Sequence, residues 1–346
     1  MIKCAVIGCG YWGPNIIRVL YEDLKWELMY CCDIDPRKFE RIIFSYPAVE
    51  LTCDSNVIFK NPEIRAVFIA TPLASHYQLV KNSLLAKKAT FVEKPFVGNV
   101  EDAKELIELA TKNNVPLMVG HIFEYSPAVI KIKQLLNTRE IGNIYYISST
   151  RVNLGIHRGD GSVIWDLASH DFGTTFYWLE EEPISVQAIG KSSIIKDNPD
   201  IAFITLKFPS DVLVNVQVSW LAPSKLRNTV IVGSKKMVVY EDTEPSQKIK
   251  IFDRGVSYLE HTNFGEFQLS YRTGDIVVPV LPNIEPLKAE IAHFSRCIEK
   301  GETPKTDGTV GLRVVKYLEL AELSLKNGGE VIKVPQSNST VSTSKS

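Results

Sequence analysis

Three glycines stand in the run Gly8-Cys9-Gly10-Tyr11-Trp12-Gly13, between an apolar, β-favouring stretch at 2–7 and a helix-forming stretch at 14–20. Few folds place that spacing on a strand-to-helix turn. Gly8 permits the tight turn, Gly10 lets main-chain N–H groups approach a pyrophosphate, and Gly13 lets the helix pack close to the strand. Pro14 falls in the first helical turn, where its missing N–H costs nothing, and the helix N-terminus faces an anion. The glycines alone also suit a turn with no ligand, so the next acid matters. Asp33 stands twenty residues beyond Gly13, at the end of the apolar run 27–32, with Ile34 after it. A carboxylate there accepts from both ribose hydroxyls of an adenosine and repels a 2′-phosphate, which favours NAD over NADP. The plainer reading of Asp33 is a turn-forming acid ahead of Asp35-Pro36.

A chain of 346 residues has room for two domains with cores of their own. Its net charge of −1 gives no broad field for nucleic acid or an anionic membrane. The first strand begins at once, with no basic or apolar leader, and no apolar run is long enough to span a bilayer. Cys4, Cys9, Cys31, Cys32, Cys53 and Cys297 lack the spacing of a zinc site and read as structural thiols in a reducing cytoplasm. Cys9, within the glycine loop, is a candidate for oxidation. No metal is expected.

The first third alternates strand and helix. The near-continuous apolar runs at 66–70, 90–92 and 116–119 suit strands buried on both faces, and amphipathic segments at 36–45, 75–87 and 100–113 separate them. That alternation predicts an α/β fold with a parallel, doubly wound sheet. After residue 120 the pattern changes. A helix at 127–137, a strand at 144–152, a polar loop at 155–161 and a helix at 166–179 precede several β-like runs. Residues 208–211 and 233–236 read as hairpin connections, so a C-terminal α+β domain on an open-faced, mostly antiparallel sheet is expected. An exposed apolar sheet face usually finds a partner subunit. Helices at 285–300 and 308–326 follow. The divisions are 1–120 for the Rossmann dinucleotide-binding domain, 121–335 for substrate binding and assembly, and 336–346 for a Ser/Thr-rich tail expected to be disordered.

Ligands of open α/β sheets sit at the carboxyl ends of strands. Glu93-Lys94-Pro95 follows one such strand, so Lys94 is expected beside the cofactor, where an ammonium holds a substrate hydroxyl and stabilises a developing alkoxide; the local sequence alone favours a surface lysine at a strand end. The Lys94-Pro95 bond is either cis or trans. Thr71-Pro72 ends another strand and His76 opens the next helix; these residues either line the nicotinamide side or begin a helix. Trp165-Asp166-Leu167-Ala168-Ser169-His170-Asp171 supplies a carboxylate and an imidazole four residues apart, on one helix face. A neutral imidazole accepts a hydroxyl proton near neutral pH, and the carboxylate orients the ring or binds the sugar. Singly, Asp166 reads better as a helix-start acid and His170 as a satisfied histidine; Lys94 with both of them, beside a dinucleotide fold, reverses that order.

Taken together, the Gly8–Gly13 run, Asp33, Ala70-Thr71-Pro72 with His76, Glu93-Lys94-Pro95 and the Asp166/His170 spacing resemble the Gfo/Idh/MocA oxidoreductase family, to about residue 335. The resemblance implies a Rossmann domain joined to an open-faced sheet domain and an NAD cofactor. It implies that Lys94 and His170 carry substrate orientation and proton transfer, with Asp166 on the sugar. Gly8, Gly10, Tyr11, Trp12, Gly13, Asp33, Ile34, Thr71, Pro72, His76, Glu93 and Lys94 form the expected cofactor set. Many members carry an Asn-Arg-Arg segment where this chain reads Gly120-His121-Ile122-Phe123-Glu124-Tyr125-Ser126-Pro127. The amide and both guanidiniums are missing, and His121 is the candidate replacement at the nicotinamide.

The details around Gly10–Asn15, Gly120-His121, Asn153-Leu154-Gly155 and 165–171 resemble a branch of nucleotide-sugar 3-dehydrogenases, which oxidise C3 of UDP-N-acetylglucosamine or its uronic acid. Arg151, Asn153 and Arg158 flank the polar loop, where guanidiniums suit a pyrophosphate or carboxylate; with Lys94, Trp165, Asp166 and His170 they make up the expected substrate set. The implied protein is a cytoplasmic homodimer or homotetramer. A free-sugar or inositol dehydrogenase, a keto-sugar nucleotide reductase and a non-catalytic NAD-binding regulator remain open.

Overall fold

A computed structural model describes residues 1–155, 161–259 and 268–335. The expected disorder of 336–346 and most of the 155–161 loop lie outside them. The chain forms two compact units. The first takes residues 1–138, 156–178 and 280–319; the second takes 139–155, 179–279 and the chain from 320 onward.

The first unit begins β1 (Ile2–Ile7), α1 (Gly13–Glu22), β2 (Trp26–Cys32), α2 (Glu40–Ser45), β3 (Glu50–Thr52) and α3 (Ser55–Lys60). It continues β4 (Ala66–Ile69), α4 (His76–Leu85), β5 (Ala89–Glu93), α5 (Val100–Asn113), β6 (Leu117–Gly120) and α6 (Pro127–Asn137). The strands form one parallel sheet in the order β3-β2-β1-β4-β5-β6, the doubly wound arrangement whose crevice opens at the strands' carboxyl ends. β4 is buried throughout, as its uninterrupted apolar run requires. Side chains cap α3 and α5: Asp54 accepts from the Asn56 N–H at 2.9 Å and Asn99 from the Asp102 N–H at 2.7 Å. β3 and α3 were not expected. A three-residue edge strand and a helix under two turns are too short to show a period.

A π-helical turn at Ile164–Ala168 leads into α7 (Ser169–Leu179). The sheet faces α8 (Pro286–Lys300) through an aromatic cluster: Trp26 meets Phe68 at 5.2 Å between ring centroids, Phe68 meets Phe91 at 5.4 Å, and Phe294 of α8 meets Phe91 at 6.0 Å. Burying each such ring is worth about 1.5–3 kcal/mol. Past α8, the Val119 N–H donates to the Thr306 carbonyl at 2.8 Å, and the chain enters α9 (Gly308–Lys326).

The second unit is built on β7 (Ile144–Val152), β8 (Ser185–Lys191), β9 (Ile201–Lys207), β10 (Leu213–Ser219), β11 (Leu226–Gly233), β12 (Met237–Glu241), β13 (Ile249–Leu259), β14 (Gln268–Val277) and β15 (Ile332–Lys333). They form one sheet, β14-β13-β12-β11-β7-β10-β9-β8-β15, antiparallel except where β7 pairs with β10. Both expected hairpin connections join paired antiparallel strands. Ala202, Ile204 and Leu206 alternate with exposed positions along β9, the pattern of a sheet with one buried face. On the other face, Ile189 and Phe203 are exposed and paired in register, but Gln217, Thr150 and Asn228 continue that row. The open face is therefore mixed rather than continuously apolar.

Candidate active site

The glycine loop has the strict geometry its spacing implies. Gly8 sits at φ +101°, and a Cβ there would lie 2.5 Å from the Ala70 carbonyl oxygen. A Cβ on Gly13 would lie 2.0 Å from the Gly8 oxygen, so only glycine lets α1 come this close to β1. Over Gly10 the space is open to 4 Å. Pro14 occupies the start of α1, and no acid stands in that first turn to compete with an anion. Asp33 ties the loop together: Oδ2 accepts the Cys9 N–H at 2.8 Å and Oδ1 the Asp35 N–H at 2.9 Å. Each oxygen keeps a second lone pair, which suits a vicinal diol. Tyr11 and Ile34 are exposed, and Trp12 is half-buried. These residues fit a dinucleotide.

Cys9 is a poor candidate for oxidation. Its Sγ lies buried 3.6 Å from the Cys32 carbonyl oxygen, and a hydrogen bond with Cys31, together with burial, pushes its thiol far above the usual range. A thiol held protonated is a weak nucleophile.

The ends of β4, β5 and β6 carry Thr71-Pro72, Glu93-Lys94-Pro95 and Gly120-His121. His76 begins α4, one of the two roles the sequence leaves open for it, and its ring links two main-chain segments. Its Nδ1 lies 2.9 Å from the Pro95 oxygen and its Nε2 2.8 Å from the Thr71 oxygen, so both ring nitrogens are engaged by the main chain. It holds the two loops together, and burial lowers its pKa. The Lys94-Pro95 bond is cis.

Lys94 meets Asp166 across 72 residues of chain: Nζ donates to the Asp166 carbonyl at 2.8 Å and lies 3.6 Å from Oδ1. The Ser169 hydroxyl shares that carbonyl at 3.3 Å. Asp166 lies in the π turn rather than in a regular α-helix, and α7 starts immediately before His170. The sequence predicted plain α-helix here. A π turn is rare and recurs at functional sites. The His170 ring takes the edge of Phe123, with centroids 4.9 Å apart and planes at 75°.

His121 is fully enclosed, and its Nε2 has no hydrogen-bond partner among the described residues. Burial, then the charge of Lys94, brings its pKa down to about 4, so the ring is neutral. It fits because Gly173 of α7 has no side chain; a Cβ there would lie 3.1 Å from Nδ1. Glu93 accepts the Lys94 N–H at 3.3 Å, and desolvation raises its carboxyl to about 7 against the pull of Lys94 and the Trp12 indole N–H. Phe123 and Gly173 carry no sequence signal of their own; their roles come from what they pack against.

Trp165 is buried in the same unit. Arg151 and Asn153 belong to the second unit, where Arg151 is buried opposite Arg227 of β11 and the Asn153 N–H donates to the Ser219 carbonyl at 3.1 Å. Arg158 lies outside the described residues.

Residues 2–121 match the family described as "Oxidoreductase family, NAD-binding Rossmann fold", and residues 129–239 match "GFO/IDH/MocA C-terminal domain". The chain belongs to the Gfo/Idh/MocA oxidoreductase family. It is 27% identical over 285 residues to a UDP-N-acetylglucosamine 3-dehydrogenase of Acidithiobacillus ferrooxidans, covering 78% of this chain and 82% of that one. It is 26% identical over 334 residues to a scyllo-inositol 2-dehydrogenase (NAD(+)) of Bacillus subtilis, covering 90% and 92%. The solved structure of the Acidithiobacillus ferrooxidans enzyme superimposes with a TM-score of 0.78 at 22% identity, covering 94% of this chain and 98% of that one.

As a Gfo/Idh/MocA protein, the chain is an NAD-dependent dehydrogenase of a family acting on sugars and related alcohols. Its N-terminal sheet is the NAD-binding domain. No helix among the described residues is long and apolar enough to cross a membrane. Among those residues, no group of three or more His, Cys, Asp or Glu could hold a metal ion.

Proposed function

We propose that this protein oxidises the C3 hydroxyl of a UDP-linked amino sugar such as UDP-N-acetylglucosamine, giving a 3-keto sugar for amino-sugar or polysaccharide biosynthesis. NAD, when bound, supplies the hydride acceptor. Lys94 holds the reacting hydroxyl and stabilises negative charge as its proton leaves. His170 takes that proton. Asp166 orients the Lys94 ammonium and the His170 ring and contacts the sugar. His121 stands where relatives carry an amide and serves the nicotinamide. Asp33 reads the adenosine ribose and disfavours NADP. Arg151, Asn153, Arg158 and Trp165 complete the substrate set. Residues 1–120 serve the cofactor and 121–335 the substrate and assembly.

The observation that carries this reading is the Lys94–Asp166 contact one helical step before His170, beside a glycine loop built for a dinucleotide. The nucleotide-sugar relative supports the substrate class. A second reading, oxidation of a free cyclic polyol, is supported by the inositol relative, which matches over more of the chain. Steady-state assays with NAD and UDP-N-acetylglucosamine, its uronic acid, myo-inositol and glucose separate the two. The proposal requires the highest kcat/KM on a UDP-sugar; a higher value on myo-inositol favours the polyol. The same site runs in both directions, so reduction of the 3-keto product by NADH is expected as well.

Assembly as a homodimer or homotetramer through the open sheet face is part of the proposal. Exposed Ile189 and Phe203 support it, and sedimentation of a Phe203→Glu variant tests it. The proposed location is the cytoplasm.

A further inference from the structure

Glu290 is the most enclosed carboxyl in the first unit that the reaction above does not use. It is fully buried on α8, and neither of its oxygens has a hydrogen-bond partner among the described residues. Its place follows from the packing around it. Phe91 and Glu93 stand two apart on β5, and both lie against Gly120: a Cβ there would meet Phe91 Cζ at 3.1 Å and Glu93 Oε1 at 3.2 Å. They therefore share one face of the strand. Phe294 packs on Phe91, and Glu290 precedes Phe294 by one helical turn. Two strand residues advance about 6.6 Å and four helical residues about 6 Å, so matching steps in opposite chain directions carry the ring pair to a carboxyl pair.

We propose that Glu93 and Glu290 form a proton-sharing carboxyl pair, in which Glu290 is a positioning residue that sets the charge Glu93 carries beside Lys94. Two carboxylates in one desolvated place cannot both ionise, so a single proton is divided between them. The surroundings fit. Lys94 and the Trp12 indole favour the Glu93 anion, whereas Glu93 and Glu124 oppose ionisation of Glu290 and Lys305 favours it less strongly. Glu124 is in turn balanced by Lys305 and Arg313 against Asp307, and burial raises its carboxyl to about 8. The nearby Tyr125 hydroxyl is taken by His293 Nδ1 at 2.8 Å. With the proton on Glu290, Glu93 is a carboxylate and neutralises Lys94 locally. With the proton on Glu93, that neutralisation is lost, and the ammonium, with the Asp166 carboxylate beside it, acts more strongly on a developing alkoxide. This consequence rests on the dehydrogenase reading above; the pair itself does not.

The test is an infrared titration of the neutral-carboxyl band in the full chain without substrate. Above about pH 6 exposed acids are ionised, so the band reports enclosed carboxyls. Three proteins are compared: wild type, Glu290→Gln and Glu93→Gln. Glu93→Gln removes the anion facing Glu290 and lowers the pair's upper titration step by about one pH unit or more, and Glu290→Gln abolishes that step. An upper step that stays in place in Glu93→Gln, or that persists in Glu290→Gln, overturns the proposal, and if Glu290→Gln fails to fold, Glu93→Gln alone decides. In turnover, Glu290→Gln removes the upper inflection that the pair gives the kcat/KM profile, which a purely structural role would not do. If no sugar is oxidised, the titration still judges the pair; if the pair fails, the activity assignment stands.

Discussion

Lys94 Nζ donates to the main-chain oxygen of Asp166 at 2.8 Å and lies farther, at 3.6 Å, from that residue's carboxylate. The shorter contact does not depend on the carboxylate's charge. The main chain of the π turn therefore places the ammonium, and the Asp166 side chain adjusts its field. Lys94→Ala is expected to lower kcat by about a hundred- to a thousandfold, the cost of removing one preorganised donor. Asp166→Asn keeps the main-chain contact and is expected to cost about tenfold. Stopped-flow turnover under saturating NAD measures both; an Asp166→Asn loss as large as that of Lys94→Ala contradicts the division of roles.

His170→Ala is expected to lower kcat by about a hundred- to ten-thousandfold, the usual worth of a placed proton acceptor. NAD affinity, measured by fluorescence titration, stays within a few-fold of wild type. Near-normal turnover removes His170 from the reaction.

Asp33 braces the glycine loop through the Cys9 N–H, and in the proposed reading it also contacts the ribose. Asp33→Ala is expected to weaken NAD and narrow the preference over NADP, because the repulsion of a 2′-phosphate is gone. The ratio of kcat/KM for the two coenzymes reads this; an unchanged ratio refutes the ribose assignment.

Buried His121 has a folded pKa of about 4, below the ordinary 6.5. Between those values the unfolded chain takes up a proton that the folded one refuses. The stability this group contributes is thus present above about pH 6.5 and lost as pH falls toward 4, by up to about 3 kcal/mol. Denaturant titrations at pH 7.5, 6 and 5 should show the decline, and His121→Gln should flatten it. A wild-type decline that survives unchanged in the variant assigns it elsewhere.

Phe294 fills the centre of the aromatic cluster between α8 and the parallel sheet. Phe294→Ala is expected to cost about 3–5 kcal/mol of stability, read as a lower denaturant midpoint. A loss under about 1 kcal/mol would mean the helix packs on the sheet by other contacts.

The elements legible in the sequence are those whose signal is local. The glycine spacing, the buried runs of β4 and β5 and the helix at 127–137 rest on neighbours within one turn or strand. What was not legible depends on distant packing. That the His76 ring lies between the Thr71 and Pro95 carbonyls shows in no local pattern. The π turn at Asp166 follows no residue pattern, and Phe123 gains its place only when α7 brings His170 to it. The pairing of Glu93 with Glu290 joins residues almost two hundred apart in the chain, through Phe91 and Phe294.

The most direct measurement is NADH formation by the purified protein on UDP-N-acetylglucosamine, with Lys94→Ala and His170→Ala run alongside. The expected result is stoichiometric NADH and 3-keto sugar from the wild type, with both variants slowed at least about a hundredfold and still binding NAD. Variants that match the wild type, or a wild type that binds NAD yet oxidises neither UDP-sugars nor myo-inositol nor glucose, would contradict it.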